Sequence, residues 1–326
     1  DASGMAGSTA TACDGRHTTA AETGGFEQDL RLSARTDATK VVTTMLGCLI
    51  LRPKQEATSG PTAWCEVTQS GLNFTVNEAK SLQASAYIKR ELFHEWEMRG
   101  NDEEGGTGEL GFGINLGAFV ECLRILTGGG GVLDKPATLH LAYRENPPCL
   151  LLTLVDGTAV TQCKLHPLVA EPPSCVSMDG RVPVRIVMKS EDLREGLAEL
   201  EWGGDASAQK DKRVSLGVTR QPAQLSLTVS SVDIGCEMSY PASSLVSFIA
   251  EEDLHFDYRF SLVRMALRSI HHSFETLIKV DERGLLCLTL KFPSEVAGCN
   301  DLFLEFHLIP LTEELQDDGL LGASTT

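Results

Sequence analysis

Apolar residues along this chain fall into two spacings that succeed one another in the same order twice. Leu30–Ala34 alternates as a strand does, and Asp37–Leu51 then sets Val41, Val42, Met45 and Leu49 on one helical stripe. Ala63–Val67, Leu72–Val76, Leu82–Ile88 and Glu109–Ile114 read as strands, taken pairwise as hairpins across Gly, Asn or acidic turns. A second helix over Leu116–Leu126, striped by Leu116, Phe119, Val120 and Leu123, precedes two alternating runs, Thr138–Tyr143 and Cys149–Val155. The order then returns. Val184–Met188 is a strand and Ser190–Trp202 a helix with Leu193, Leu197 and Leu200 inward, while Ser261–Ile270 is a helix with Val263, Ala266, Leu267 and Ile270 inward. Thr276–Val280 and Leu285–Phe292 close the pattern. Matching pieces lie about 150 residues apart, which implies two tandem domains of one type.

Each half supplies two one-faced helices and a set of alternating strands, so the predicted class is α+β, with two helices packed on antiparallel sheet per domain and no Rossmann-type crossover. Open sheets of this kind have edges, and an edge that is neither charged nor covered needs a partner. The predicted organisation is a tail over residues 1–25, one domain over 26–165, a connector over 166–182, a second domain over 183–311 and an acidic tail over 312–326. The connector carries Pro167, Pro172 and Pro173 and breaks both periodicities. The first 25 residues are rich in Ala, Gly, Thr and Ser without an apolar block; they read as a disordered tail and not as a secretory signal. Asn101–Gly108 and Gly128–Gly131 read as loops.

Charge narrows the function. A net charge of −17 disfavours binding nucleic acid over the whole surface and leaves only a local basic face. Lys40, Arg124, Arg194, Arg264 and Arg268 fall outside the apolar stripes, and their bland reading is a solvated helix face. Arg264 and Arg268 stand one helical turn apart on an acidic chain, which makes them the least bland. No run of about 18 apolar residues exists, so no membrane span is expected. Ten scattered cysteines without a CxxC pair read as free thiols in a reducing compartment, in preference to disulfides or zinc.

Catalytic chemistry is thin. Two-metal hydrolysis needs carboxylates converging on ions about 3.5–4 Å apart. The dense acidic groups, Asp102–Glu104, Glu251–Asp253 and Asp317–Asp318, sit in loop or tail composition and read as solvated surface. His271 and His272, if helical, diverge by about 100° and cannot chelate together. Gly128–Gly131 lacks the Lys-Ser/Thr of a phosphate loop, and no Gly-x-Ser-x-Gly elbow occurs. No catalytic residue, metal or cofactor is expected.

Five segments carry a resemblance: GLNFTVNEAKSLQASAYI (Gly71–Ile88), INLGAFVECLRIL (Ile114–Leu126), KSEDLREGLAELE (Lys189–Glu201), YRFSLVRMALRS (Tyr258–Ser269) and DERGLLCLTLKF (Asp281–Phe292). They resemble the DNA sliding-clamp superfamily and, within it, the Rad-one-type subunit of the heterotrimeric nine-one-one checkpoint clamp, over roughly Phe26 to Pro310. The resemblance implies three subunits closing into a ring of six similar domains, helices lining the hole. Lys40, Arg124, Arg194, Arg264 and Arg268 would then face double-stranded DNA, with Glu121 and Glu195 departing from a wholly basic lining. It also implies an outer pocket for partner peptides beneath the connector, built from Leu168, Val169, Leu308, Ile309 and Pro310; the alternative is that Leu308 and Ile309 only finish the last strand's core. The implied partners are two paralogous clamp subunits, an ATP-dependent loader, repair enzymes and checkpoint mediators, in the nucleus. A 3'-5' exonuclease and a homotrimeric replication clamp are the competing functions.

Overall fold

The computed structural model describes residues 29–52, 61–99, 110–126, 138–156, 159–174, 176–201, 212–230, 235–293 and 301–311. The first half runs β1 (Leu30–Thr36), α1 (Thr39–Cys48), β2 (Thr62–Thr68), β3 (Gly71–Glu78), β4 (Leu82–Lys89), β5 (Glu95–Met98), β6 (Leu110–Asn115), α2 (Leu116–Leu126), β7 (Thr138–Arg144), β8 (Cys149–Asp156) and β9 (Ala159–Leu165). The second half repeats this order as β10 (Val184–Lys189), α3 (Ser190–Glu201), β11 (Arg213–Arg220), β12 (Ala223–Ser230), β13 (Gly235–Pro241), β14 (Ser247–Ala250), β15 (Leu254–Arg259), α4 (Phe260–Leu267), β16 (Glu275–Val280), β17 (Leu286–Pro293) and β18 (Asp301–Leu308).

Each half divides its strands between two antiparallel sets. In the first half these are β5-β1-β7-β8-β9 and β6-β2-β3-β4; in the second, β14-β10-β16-β17-β18 and β15-β11-β12-β13. One junction joins the halves. Strand β18 pairs with β4 from Phe303↔Tyr87 to Leu308↔Leu82, which fuses two of the four sets into a single nine-stranded sheet. The alternation along β18 shows how one sheet serves two faces: Leu302, Leu304, Phe306 and Leu308 are buried, while Phe303, Glu305 and His307 point the other way. The helices cover the buried face, Phe119 of α2 lying 5.7 Å from Phe74 of β3 between ring centroids. Gly71, at φ 137°, opens β3 where a Cβ would stand 2.2 Å from the Ile88 carbonyl oxygen, so only glycine fits.

Three sequence expectations need correction. Leu82–Ile88 and Glu109–Ile114 do not form a hairpin: β4 pairs with β3 and β18, and β6 with β2. The short β5 intervenes and crosses to pair with β1, a step that four residues of mixed polarity do not announce. The last helix ends at Leu267, before Ile270, and a 3₁₀ turn over Ile270–His272 follows. On that turn the His271 and His272 rings do not diverge; their centroids are 3.8 Å apart. Strand β9, AVTQCKL at a sheet edge, is not among the strands read from spacing; Cys163 and Leu165 of one parity pack on the core. The tails over 1–25 and 312–326, both loops and the acidic groups at Asp102–Glu104 and Asp317–Asp318 lie outside the described residues.

Candidate DNA-facing helices and partner surfaces

The helix cations divide into three kinds. Lys40 is exposed at the start of α1. Arg124 and Arg194 are each about half exposed and pair within their own helices, with Glu121 at 3.0 Å and Glu191 at 3.5 Å. Pairs of this type on a solvated helix are worth about 0.3–0.5 kcal/mol. Arg194, Arg264 and Arg268 converge from α3 and α4 on one groove of about 440 Å³, with Leu197, Phe260 and Leu267 in its wall. Lys40 and Arg124 stand apart from that groove. Acids sit on the same helices, Glu121 on α2 and Glu191, Asp192, Glu195 and Glu199 on α3.

Arg268 has a further engagement. Its Nη1 donates to the Leu51 carbonyl at 3.0 Å, and Ser269 Oγ donates to the Cys48 carbonyl at 3.2 Å. Cys48 is the last residue of α1, whose final carbonyls lack intrahelical donors, and Leu51 lies three residues beyond it, where the helix dipole favours a cation. This tie links the halves beside the β18–β4 pairing. With partners more than two hundred residues away, it left no local signal in the sequence.

The five residues expected to form the outer pocket are not gathered. Leu168 bridges to Gly113 at the β6 edge, and four inter-strand steps, about 19 Å, separate β6 from β18. Leu308 has the buried parity of β18 and is 1% exposed, so it belongs to the core. Val169 and Ile309 are exposed, and Ile309 N donates to the Ser81 carbonyl just past the strand end, with Pro310 following. The groove that does lie beneath the connector, about 420 Å³, is walled by Pro172, Pro173 and Met178 and floored by residues of opposite parity, among them Trp64, Glu305 and His307. Gln83 pins the connector over it: Nε2 donates to the Ser174 carbonyl and Oε1 accepts from Val176 N, both at 3.1 Å. Asn73 Oδ1 and His307 Nδ1 are sealed from solvent and have no hydrogen-bond partner among the described residues. Burial, and after it the nearby Lys279, holds the His307 pKa below its ordinary value, although Glu305 pulls the other way. Alternation through HLIP could have shown that His307, not Leu308, faces this groove.

The carboxylates at Glu251–Asp253 are held by arginines. Arg181 Nε and Nη2 donate to Glu251 at 2.9 and 2.7 Å, Arg181 also approaches Glu252 at 3.7 Å, and Arg220 Nε donates to Asp253 at 3.0 Å. Among the described residues no group of three or more His, Cys, Asp or Glu is placed to hold a metal ion, and no helix is long and apolar enough to cross a membrane. The cysteines at 48, 65, 122, 149, 163, 236 and 287 are free thiols. Burial raises several of their pKa values, that of Cys122, beside Cys163, to about 11.

Among the described residues, two sheet edges repeat the β18–β4 junction in an unpaired form. Strand for strand, β9 occupies the place of β18 and β13 the place of β4, and each ends its sheet. Pairing through β8 and β17 carries Leu165 onto Leu308 and Val160 onto Phe303. The chain also leaves the two strands alike: Leu168 N donates to Gly113 O of β6, and Leu311 N to Asp257 O at the same step of β15.

Comparison with known proteins agrees with this geometry. The model of the family described as repair protein Rad1/Rec1/Rad17 matches residues 31–291. The DNA damage checkpoint control protein rad1 of Schizosaccharomyces pombe is 26% identical over 78% of this chain and 80% of its own length. The cell cycle checkpoint protein RAD1 of Mus musculus is 28% identical over 76% and 84%. Among solved structures, the proliferating cellular nuclear antigen of Entamoeba histolytica superposes with a TM-score of 0.66 at 14% identity, covering 87% of this chain and all of that one. The PCNA2–PCNA3 complex of Sulfolobus tokodaii gives 0.62 at 16% identity, covering 85% and 98%. The fold is that of the sliding clamps.

Proposed function

Because the chain belongs to the Rad1/Rec1/Rad17 repair-protein family, we propose that it is one subunit of a heterotrimeric checkpoint clamp that encircles DNA and serves as a platform for damage signalling and repair. The observation that carries this reading is the repeated junction. Within the chain, β18 and β4 join two domains edge to edge. Strands β9 and β13 are copies of those two, paired on one side with β8 and β12 and, among the described residues, with no strand on the other. Adding a domain pair to each edge by the same pairing continues the sheets from one subunit to the next; the family resemblance sets the ring at three subunits, and closure removes the sheet edges that would otherwise invite aggregation.

In this reading the helices line the hole, and Lys40, Arg124, Arg194, Arg264 and Arg268 face double-stranded DNA. Acids interleaved on α2 and α3 keep that lining close to neutral. Such a surface screens phosphate without gripping it, so retention comes from encirclement and the ring slides. An ATP-dependent loader, clamp partners in the nucleus and docking of repair enzymes in the groove beneath the connector complete the proposal. The protein's role is non-enzymatic, and the arginine-bound carboxylates at Glu251–Asp253 agree with that. The boundaries 26–165, 166–182 and 183–311 serve as the working domain division.

The test is the mass in solution, by light scattering at moderate salt, of the chain alone and after co-expression with the two other checkpoint-clamp subunits. A monomer that becomes a one-to-one-to-one complex supports the proposal. A stable self-trimer supports a replication-type clamp, and a monomer indifferent to both partners refutes the ring.

A further inference from the structure

The internal repeat assigns a role to one of the helix cations. Strands β6 and β15 are equal in length and run directly into α2 and α4, so positions can be matched by counting from Leu110 and Leu254. The match carries Gly113 onto Asp257, the two carbonyls that receive Leu168 N and Leu311 N, which checks the register independently. It carries Arg124 onto Arg268 and Ile125 onto Ser269. At the junction inside the chain, Arg268 and Ser269 grip the C-terminal end of α1, and Ser269 is 4% exposed because that helix end covers it. At the matching place beside β9, Ile125 is 66% exposed.

We infer that Arg124 is an inter-subunit clip, donating to the carbonyl oxygens at the C-terminal end of a neighbouring clamp subunit's helix, the one in the α1/α3 position, while Ile125 packs against that end. The inference rests on the clamp reading and refines it by moving Arg124 from the DNA-facing set to the β9 junction. The chemistry fits the occupant: a helix C-terminus presents unsatisfied carbonyls and a partial negative charge, and a guanidinium supplies several donors in a fixed fork. In the isolated chain Arg124 pairs with Glu121 at 3.0 Å, and its Nη2 lies 3.8 Å from where a Cβ on Gly47 of α1 would stand, so joining the clip means turning the side chain from these contacts toward the neighbour. An apolar residue beside the cation, where the internal junction has a serine, makes the subunit contact drier than the internal one.

The test uses the full chain assembled with the two paralogous subunits, comparing wild type with Arg124→Ala and Arg124→Gln. Measured by titration and light scattering, Arg124→Ala should weaken the affinity of one of the two subunit contacts about tenfold, the effect of losing one charge-assisted hydrogen bond. Arg124→Gln, which keeps an N–H donor but no charge, should recover part of the loss. The melting temperature of the isolated variant chains should match wild type. Unchanged assembly affinity in a wild-type ring that does form overturns the clip, as does an equal loss for both variants accompanied by a lower melting temperature. Failure of the wild-type chain to enter any ring refutes the clamp reading instead.

Discussion

Replacing Arg268 by alanine should destabilise the isolated chain, although its sequence position suggests only a DNA-facing cation. The substitution removes the Nη1 donor to Leu51 O at 3.0 Å and leaves that carbonyl, on a residue 3% exposed, without it. A hydrogen bond from a charged donor contributes about 1.5–3 kcal/mol, and solvent around the exposed guanidinium lowers the expectation to about 1–2 kcal/mol. For a chain of this size that corresponds to a fall in melting temperature of about 2–3 °C. Urea unfolding should show a lower midpoint with an unchanged slope, since the surface exposed on unfolding is the same. Lys40→Ala, an exposed position on α1, should stay within about 0.5 kcal/mol of wild type. Indistinguishable unfolding of Arg268→Ala and Lys40→Ala would refute the view that α4 is tied to α1 through this side chain.

Other outcomes follow from the same geometry. Gly71→Ala should cost at least about 2 kcal/mol, read as a loss of soluble protein or a lower urea midpoint, because the new Cβ meets the Ile88 carbonyl oxygen at φ 137°. Arg264→Glu, placed in the arginine groove and away from the α1 contact, should lower retention of the assembled ring on DNA while leaving its mass unchanged; loss of the ring would make Arg264 structural. Burial lowers the pKa of His140, His272 and His307, so the unfolded chain binds more protons than the folded one as pH falls through the ordinary histidine range. Stability should therefore drop on acidification below about pH 6.5, and His307→Gln should flatten that dependence in melting curves recorded from pH 7.5 to about 5.5.

Local pattern carried the helices and most strands of the first half, because Leu116, Phe119, Val120 and Leu123 declare their buried face by spacing alone; the strands from Arg213 to Arg259 and β18 were not read from it. It did not carry β5, whose four residues alternate too briefly, or β9, whose AVTQCKL stands at a sheet edge. Long-range pairing was out of reach for the same reason: nothing within a few residues of Arg268 or Leu308 says that α1 and β4 lie beside them. The family resemblance supplied the ring and the set of inward cations. Only the register of the repeat, visible once β18 was seen against β4, separated Arg268 and Arg124 from the others, whereas simple alternation along β18 puts His307 and Glu305, not Leu308, in the floor of the connector groove.

Hydrogen exchange on the backbone amides of β9 and β13, in the isolated chain and in the assembled ring, addresses the central claim most directly. Ring closure through copies of the β18–β4 junction requires slow exchange to appear along Ala159–Leu165 and Gly235–Pro241 on assembly, with the short edge strands β5 and β14 unchanged. Protection that appeared at β5 and β14 and spared β9 and β13 would contradict it.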